Sequence, residues 1–133
     1  MSNEHLSSST IFPLGEKVES YFVGDAYLQM VFTDPAPLNA GIGNVTFAPG
    51  ARNNWHSHTV GQVLLVTGGE GWYQEEGKDA QRIKTGDVIN IPPNVKHWHG
   101  ATADSWFVHL AITPGQTEWL EPVDDEWYKQ LSL

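Results

Sequence analysis

Six histidines stand in this 133-residue chain, and four of them form two pairs with one residue between: His56-Ser57-His58 and His97-Trp98-His99. Side chains two apart on an extended segment share a face of the sheet, so each pair can present two imidazoles side by side. Gln62 follows the first pair after a Thr59-Val60-Gly61 bend and opens an alternating run, Gln62, Leu64, Val66. If the two segments face each other across a barrel, three imidazoles (His56, His58, His97) and the amide oxygen of Gln62 can converge on one divalent ion. His99 shares the face of His97 and is placed to line the same pocket without touching the ion. His109 stands alone on an apolar strand, where a histidine is ordinarily a core residue held by one hydrogen bond.

Positioning these groups requires strands. Short apolar or alternating runs recur at Val18–Val23, Tyr27–Thr33, Gly41–Ala48, Trp55–His58, Gln62–Thr67, Gly71–Glu75, Gln81–Ile83, Val88–Ile91, His97–Thr102 and Trp106–Thr113. Turn-forming residues separate them, among them Pro49-Gly50, Gly68-Gly69, Thr85-Gly86-Asp87 and Pro92-Pro93-Asn94. This punctuation predicts an all-β sandwich or barrel. Only Pro122–Leu131 reads as helical, with acidic residues from Asp124 to Glu126 at its start. Residues 1–10 are polar and Ser-rich, which suggests a frayed arm before a single domain over 11–133. The last long strand is apolar on both faces, with Phe107, His109 and Ala111 on one side and Trp106, Val108, Leu110 and Ile112 on the other. A strand apolar on both sides is covered on both sides, which leads us to expect a homodimer or homotetramer packed through Val63–Leu65 and Trp106–Ile112. Trp55, Trp98 and Trp106 are expected in barrel or interface packing.

Composition removes whole classes of function. Seven basic residues against 16 acidic ones give a net charge of −9, which disfavours nucleic acid and anionic membrane surfaces as partners. Cysteine is absent, so disulfides, thiolate metal sites and thiol nucleophiles are excluded. The longest aliphatic run, Val63–Val66, cannot span a bilayer. With no apolar segment of signal-peptide length near the start, a cytoplasmic location is the default expectation. Phosphate-binding glycine loops, Gly-x-Ser-x-Gly elbows and paired-carboxylate motifs are missing as well.

The spacing of the metal candidates resembles the cupins. Gly50, five residues, His56-x-His58, three residues, Gln62, six residues and Gly69 follow the first cupin motif; Gly86, five residues, Pro92-Pro93-Asn94, two residues and His97 follow the second. The resemblance implies a double-stranded β-helix (jelly-roll) barrel with one divalent metal per chain on His56, His58, Gln62 and His97. Three positions depart from the pattern: Gln62 stands where the family usually has Glu, Asn94 where it has a turn Gly, and Ala101 where it has Asn. Asn tolerates the positive φ of a turn. A neutral Gln leaves a 2+ ion with its full charge, which makes it a stronger Lewis acid. Donors of nitrogen and oxygen without sulfur suit Mn²⁺ first, with Fe²⁺, Ni²⁺ and Zn²⁺ behind it.

A narrower resemblance connects Gly50–His58, Lys96–Gly100 and His109–Ile112 to the manganese-dependent cupin hydroxynitrile lyases. In that group the position of His109 is the catalytic base, while Asn53 replaces a small hydroxyl residue. The resemblance implies a lyase for a small hydroxy or carbonyl compound, with His109 or His99 taking the hydroxyl proton. If Phe107 and Ala111 line the barrel, His109 points into the same cavity. An Fe²⁺ cupin dioxygenase and a non-catalytic small-molecule binding protein are the competing readings.

Overall fold

The computed structural model describes residues 10–33 and 37–131; apart from Thr10, the expected N-terminal arm lies outside them. Twelve strands follow in chain order: β1 (Glu16–Lys17), β2 (Phe22–Val23), β3 (Ala26–Phe32), β4 (Ala40–Phe47), β5 (Arg52–Asn53), β6 (His56–His58), β7 (Gln62–Glu75), β8 (Gln81–Lys84), β9 (Val88–Ile91), β10 (His97–Ala101), β11 (Phe107–Pro114) and β12 (Thr117–Trp119). They pair antiparallel into one curled sheet in the order β1-β3-β4-β11-β7-β10-β5-β2, with β8 and β9 on β7, and with β6 bridging β10 and β12. The architecture is the all-β barrel that the alternation and turn signals predict.

The sheet curls because β7 serves both walls. Its first half pairs with β9 and β11, its second with β8 and β10. The sequence predicts a turn at Gly68-Gly69; the chain instead runs on as one 14-residue strand. Val108 lies opposite Gly68 and His109 opposite Val66, so β7 carries an extra residue at Thr67, a β-bulge. The bulge shifts the inward phase of β7. Gln62, Leu64 and Val66 are buried before it, Gly71 and Tyr73 after it. Gly69 makes the bend possible: its φ is +70°, and a Cβ there would fall 1.6 Å from the Trp106 carbonyl oxygen.

Phe47, Leu64, Val66, Tyr73, Ile83, Ile91, Phe107 and Ala111 fill the core between the walls. Each large side chain removed from water there contributes about 1.5–3 kcal/mol. A smaller cluster on the outside of β10 joins Trp98, Val123 and Tyr128, with Trp55 packed against it. Trp98 and Trp55 thus pack as expected, Trp98 donating its indole N–H to Gln74 Oε1. The helix α1 (Asp125–Gln130) is shorter than the sequence suggested, because Asp124 caps it by accepting from the Trp127 backbone N–H. Arg52 pins it to the barrel through an ion pair with Asp125 and a guanidinium stacked over Tyr128. No helix among the described residues is long and apolar enough to cross a membrane.

Candidate metal centre and its cavity

The two histidine pairs meet where β6 and β10 run side by side. His56 and His97 are direct cross-strand partners, and their rings lie 4.2 Å apart between centroids. His58 completes the group, 4.9 Å from His56 and 5.2 Å from His97. All three are buried.

Each ring is tied down through Nδ1. His56 Nδ1–H donates to the Asn54 carbonyl at 2.8 Å, and His97 Nδ1–H donates to the Val95 carbonyl at 2.9 Å. A carbonyl can only accept, so both rings carry their proton on Nδ1 and keep a lone pair on Nε2. The same local device, a bond to the carbonyl two residues back, thus orients two imidazoles on facing strands. His58 Nδ1 is held by Thr117 Oγ1 at 2.9 Å. Gln62 follows the same logic: its Nε2 donates to Thr113 Oγ1 at 2.8 Å, which turns Oε1 the other way. His58 Nε2, His97 Nε2 and Gln62 Oε1 are all buried without a hydrogen-bond partner. Buried polar atoms without a partner are costly; with the His58 proton on Nδ1, donated to the Thr117 hydroxyl, a cation would satisfy all three. Anchored rings with one free nitrogen are the usual preparation of metal-binding histidines.

His99 also comes close. Its ligand atoms, with those of His56 and His97, form a group within 4.8 Å of one another that could hold a metal ion. Its ring, however, is already engaged: Asn53 Nδ2 lies 3.1 Å from Nδ1 and 3.3 Å from Nε2, and His109 Nε2 lies 3.2 Å from Nδ1. His99 and His109 are therefore one hydrogen-bonded pair. The inward face of β11 carries Phe107, His109 and Ala111 as the alternation predicts, and Phe47 and Phe107 pack on the His109 ring at 5.6 and 5.4 Å.

Burial sets the protonation of the whole cluster. Loss of hydration holds His109 down at about 3 and His58 at about 4. Burial lowers His97 as well, and drives His56 and His99 well below the usual imidazole range, with neighbouring imidazoles adding to the effect. All five are neutral at pH 7, the state in which an imidazole ligates a metal or accepts a proton.

His56, His58, Gln62, His99 and His109 line one cavity of about 210 Å³, smaller than the roughly 300–1,000 Å³ of sites for drug-sized ligands. Its other walls are mostly apolar and include Phe22, Val45, Ala111 and Trp119. Trp119 lies against His56 at 4.6 Å and stacks on Tyr21 at 4.9 Å, 2° from parallel. The sequence reading did not include β5 and β12, and so passed over Trp119 and the ring-orienting Thr117. Thr113 was within reach, because the alternation His109, Ala111, Thr113 carries its hydroxyl to Gln62. Asn94 takes the positive φ, 63°, that its turn position requires.

A family model for the cupin domain matches residues 43–113. An (R)-mandelonitrile lyase from Granulicella tundricola is 40% identical over 120 residues, covering 87% of this chain and 92% of that protein. A crystal structure of a cupin-like protein from Thermotoga maritima superposes with a TM-score of 0.87 at 46% identity, over 91% of this chain and 96% of that one. An acireductone dioxygenase from Bacillus pumilus is 28% identical over 75 residues, 53% of this chain and 43% of that protein.

Proposed function

The chain belongs to the cupin domain family, and from that premise we propose that it is a metal-dependent lyase cleaving the C–C bond of a small cyanohydrin. The observation that carries this reading is a division of labour around one cavity: three anchored imidazoles and an amide, of which His58 Nε2, His97 Nε2 and Gln62 Oε1 are buried without a partner, beside a separate, neutral His99–His109 pair. His56, His58, Gln62 and His97 hold the ion, with Mn²⁺ the first choice. When bound, it supplies Lewis acidity that makes a substrate hydroxyl easier to deprotonate.

The chain's own residues do the rest. The apolar walls with Phe22 and Trp119 receive the hydrocarbon part of the substrate and keep water out. The His99–His109 pair takes the hydroxyl proton. The O–H electrons become the second bond of the carbonyl, the C–CN bond breaks, and cyanide leaves with its electron pair. The pair returns the proton to cyanide as HCN, so base and chain end as they began. A positioned base contributes about 10²–10⁴ in rate. Similarity to the mandelonitrile lyase supports this choice over other cupin reactions. Half-buried Val63, Leu65, Leu110 and Ile112 on the outer side of the barrel further support a homodimer across that face, which light scattering tests.

The experiment is to load the protein with Mn²⁺ and supply mandelonitrile, following benzaldehyde, cyanide and dissolved oxygen together. The reading expects equal release of benzaldehyde and cyanide with no oxygen uptake. Oxygen uptake with an organic acid product would make the protein a dioxygenase, and binding without turnover would make it a binding module; either result overturns the proposal.

A further inference from the structure

The strands β1 and β2 stand at the two ends of the sheet order, β1 against β3 and β2 against β5. They are also consecutive in sequence, so residues 18–21 form a strap from one end of the curled sheet to the other. Val18, Ser20 and Tyr21 of this strap line the cavity, with Phe22 at the start of β2. At one end the Val18 N–H donates to the Ala26 carbonyl, and at the other the Asn54 N–H donates to the Tyr21 carbonyl, both at 2.8 Å. Gly15, Tyr21 and Gly24 take left-handed φ values of +81°, +69° and +82°. Glycine adopts this conformation freely, whereas a bulky side chain is strained in it. Such strain persists only where the surroundings hold it, and it concentrates at functional sites such as ligand clamps. At Tyr21 ring packing holds it: the side chain stacks on Trp119, 2° from parallel, and Trp119 lies against His56. The three rings form a row that starts at a proposed ligand and ends at Tyr21, which is 51% exposed.

We propose that Tyr21 is a specificity-determining residue whose stacked ring closes the cavity behind a single aromatic ring of the ligand. Tyr21 both lines the cavity and is half exposed, so its ring stands at the border with solvent. The cavity behind it holds about 210 Å³. A second fused ring has to displace Tyr21, which means breaking the stack or lifting the strap from Asn54. Trp119 cannot recede to make the room, because β12 pairs it directly with His56. For the identity of the substrate the proposal rests on the lyase reading, which makes the preferred substrates cyanohydrins of one-ring aldehydes.

Size selection is measured by binding, without turnover. Benzyl alcohol and 2-naphthylmethanol offer a hydroxyl and an aromatic group but no cyanide to release, and each is titrated calorimetrically into the Mn²⁺-loaded protein. The unsubstituted protein should bind benzyl alcohol about 10-fold more tightly, the low end of what a pocket wall confers on one added group. Tyr21→Gly removes the ring where glycine takes the left-handed φ without strain, so the fold is kept, and the preference should vanish or reverse. Tyr21→Phe keeps the stacked ring and should keep the preference. Equal affinities in the unsubstituted protein overturn the proposal even if both variants fail to fold, since the second ring would then extend past Leu28 and Met30 instead. Failure of benzyl alcohol to bind also overturns it, as does a preference that survives Tyr21→Gly or is lost in Tyr21→Phe. The expected affinities in a protein that does not cleave mandelonitrile would instead overturn the proposed function alone.

Discussion

Two histidine groups share one cavity and differ in what their second nitrogen does. In the β6/β10 group, Nδ1 of each ring is spent on a neighbouring carbonyl or hydroxyl, and on His58 and His97 the other nitrogen has no protein partner. In the β10/β11 pair, His99 is spent on His109 and on Asn53, while His109 is held by His99 alone and its Nδ1 has no partner. Burial keeps both groups neutral. Charge state therefore does not separate the proposed ligands from the proposed base; the hydrogen-bond partner of each ring does. A histidine tied to a carbonyl offers a fixed lone pair outward, and one tied to another histidine offers a place to move a proton.

The contrast breaks first at His109. His109→Ala removes half of the proton-handling pair and touches none of the four proposed ligands. Turnover should fall by about 10²–10⁴ with one metal per chain retained, as elemental analysis and steady-state rates measured on one sample would show. Loss of metal together with rate would erase the distinction between the groups.

A smaller effect is expected at the groups that aim the ligands. Thr117→Val and Thr113→Val remove the hydroxyls that hold His58 and Gln62. Losses of this kind cost about 10–100-fold in metal affinity, which a competition titration with a chelator reads. Unchanged affinity in both variants would mean that neither His58 nor Gln62 is oriented for an ion.

The smallest effect sharpens the role of burial. In the metal-free protein His58 is held at about 4 and His109 at about 3, against about 6.5 in an unfolded chain. Below pH 6.5 the unfolded chain binds protons that the folded one refuses, so the contribution is complete above about pH 6.5 and is lost as pH falls toward 4 and then 3. The urea midpoint of the metal-free protein should be lower at pH 5.5 than at pH 7.5, and His109→Phe should flatten that dependence. A midpoint that rises on acidification contradicts the neutral, buried cluster.

Much of this was legible in the residues. The period-2 alternation placed Gln62, Leu64 and Val66, and then Phe107, His109 and Ala111, on inward faces, because side chains on a strand must alternate. Motif spacing brought His56, His58, Gln62 and His97 to one place. What alternation cannot carry is a change of phase: the extra residue at Thr67 turned an apparent loop at Gly68-Gly69 into the corner of one strand. Nor could it show β5 and β12, whose two and three residues are too short for any periodicity. Asn53, Thr117 and Trp119 lie there, and their roles come from long-range pairing rather than from local sequence. His99 and His109 were alternatives for one role, since nothing in the chain reveals that their rings touch.

The central claim is that ligand and base histidines are distinct sets, and metal content of two variants tests it most directly. His58 and His99 are both buried, both two residues from a proposed ligand, and both close to His56. Measured by elemental analysis after equilibration with Mn²⁺, His99→Ala should keep one ion per chain and His58→Ala should lose it. The reverse pattern, with metal retained without His58 and lost without His99, would place the ion on His56, His97 and His99 and contradict the account.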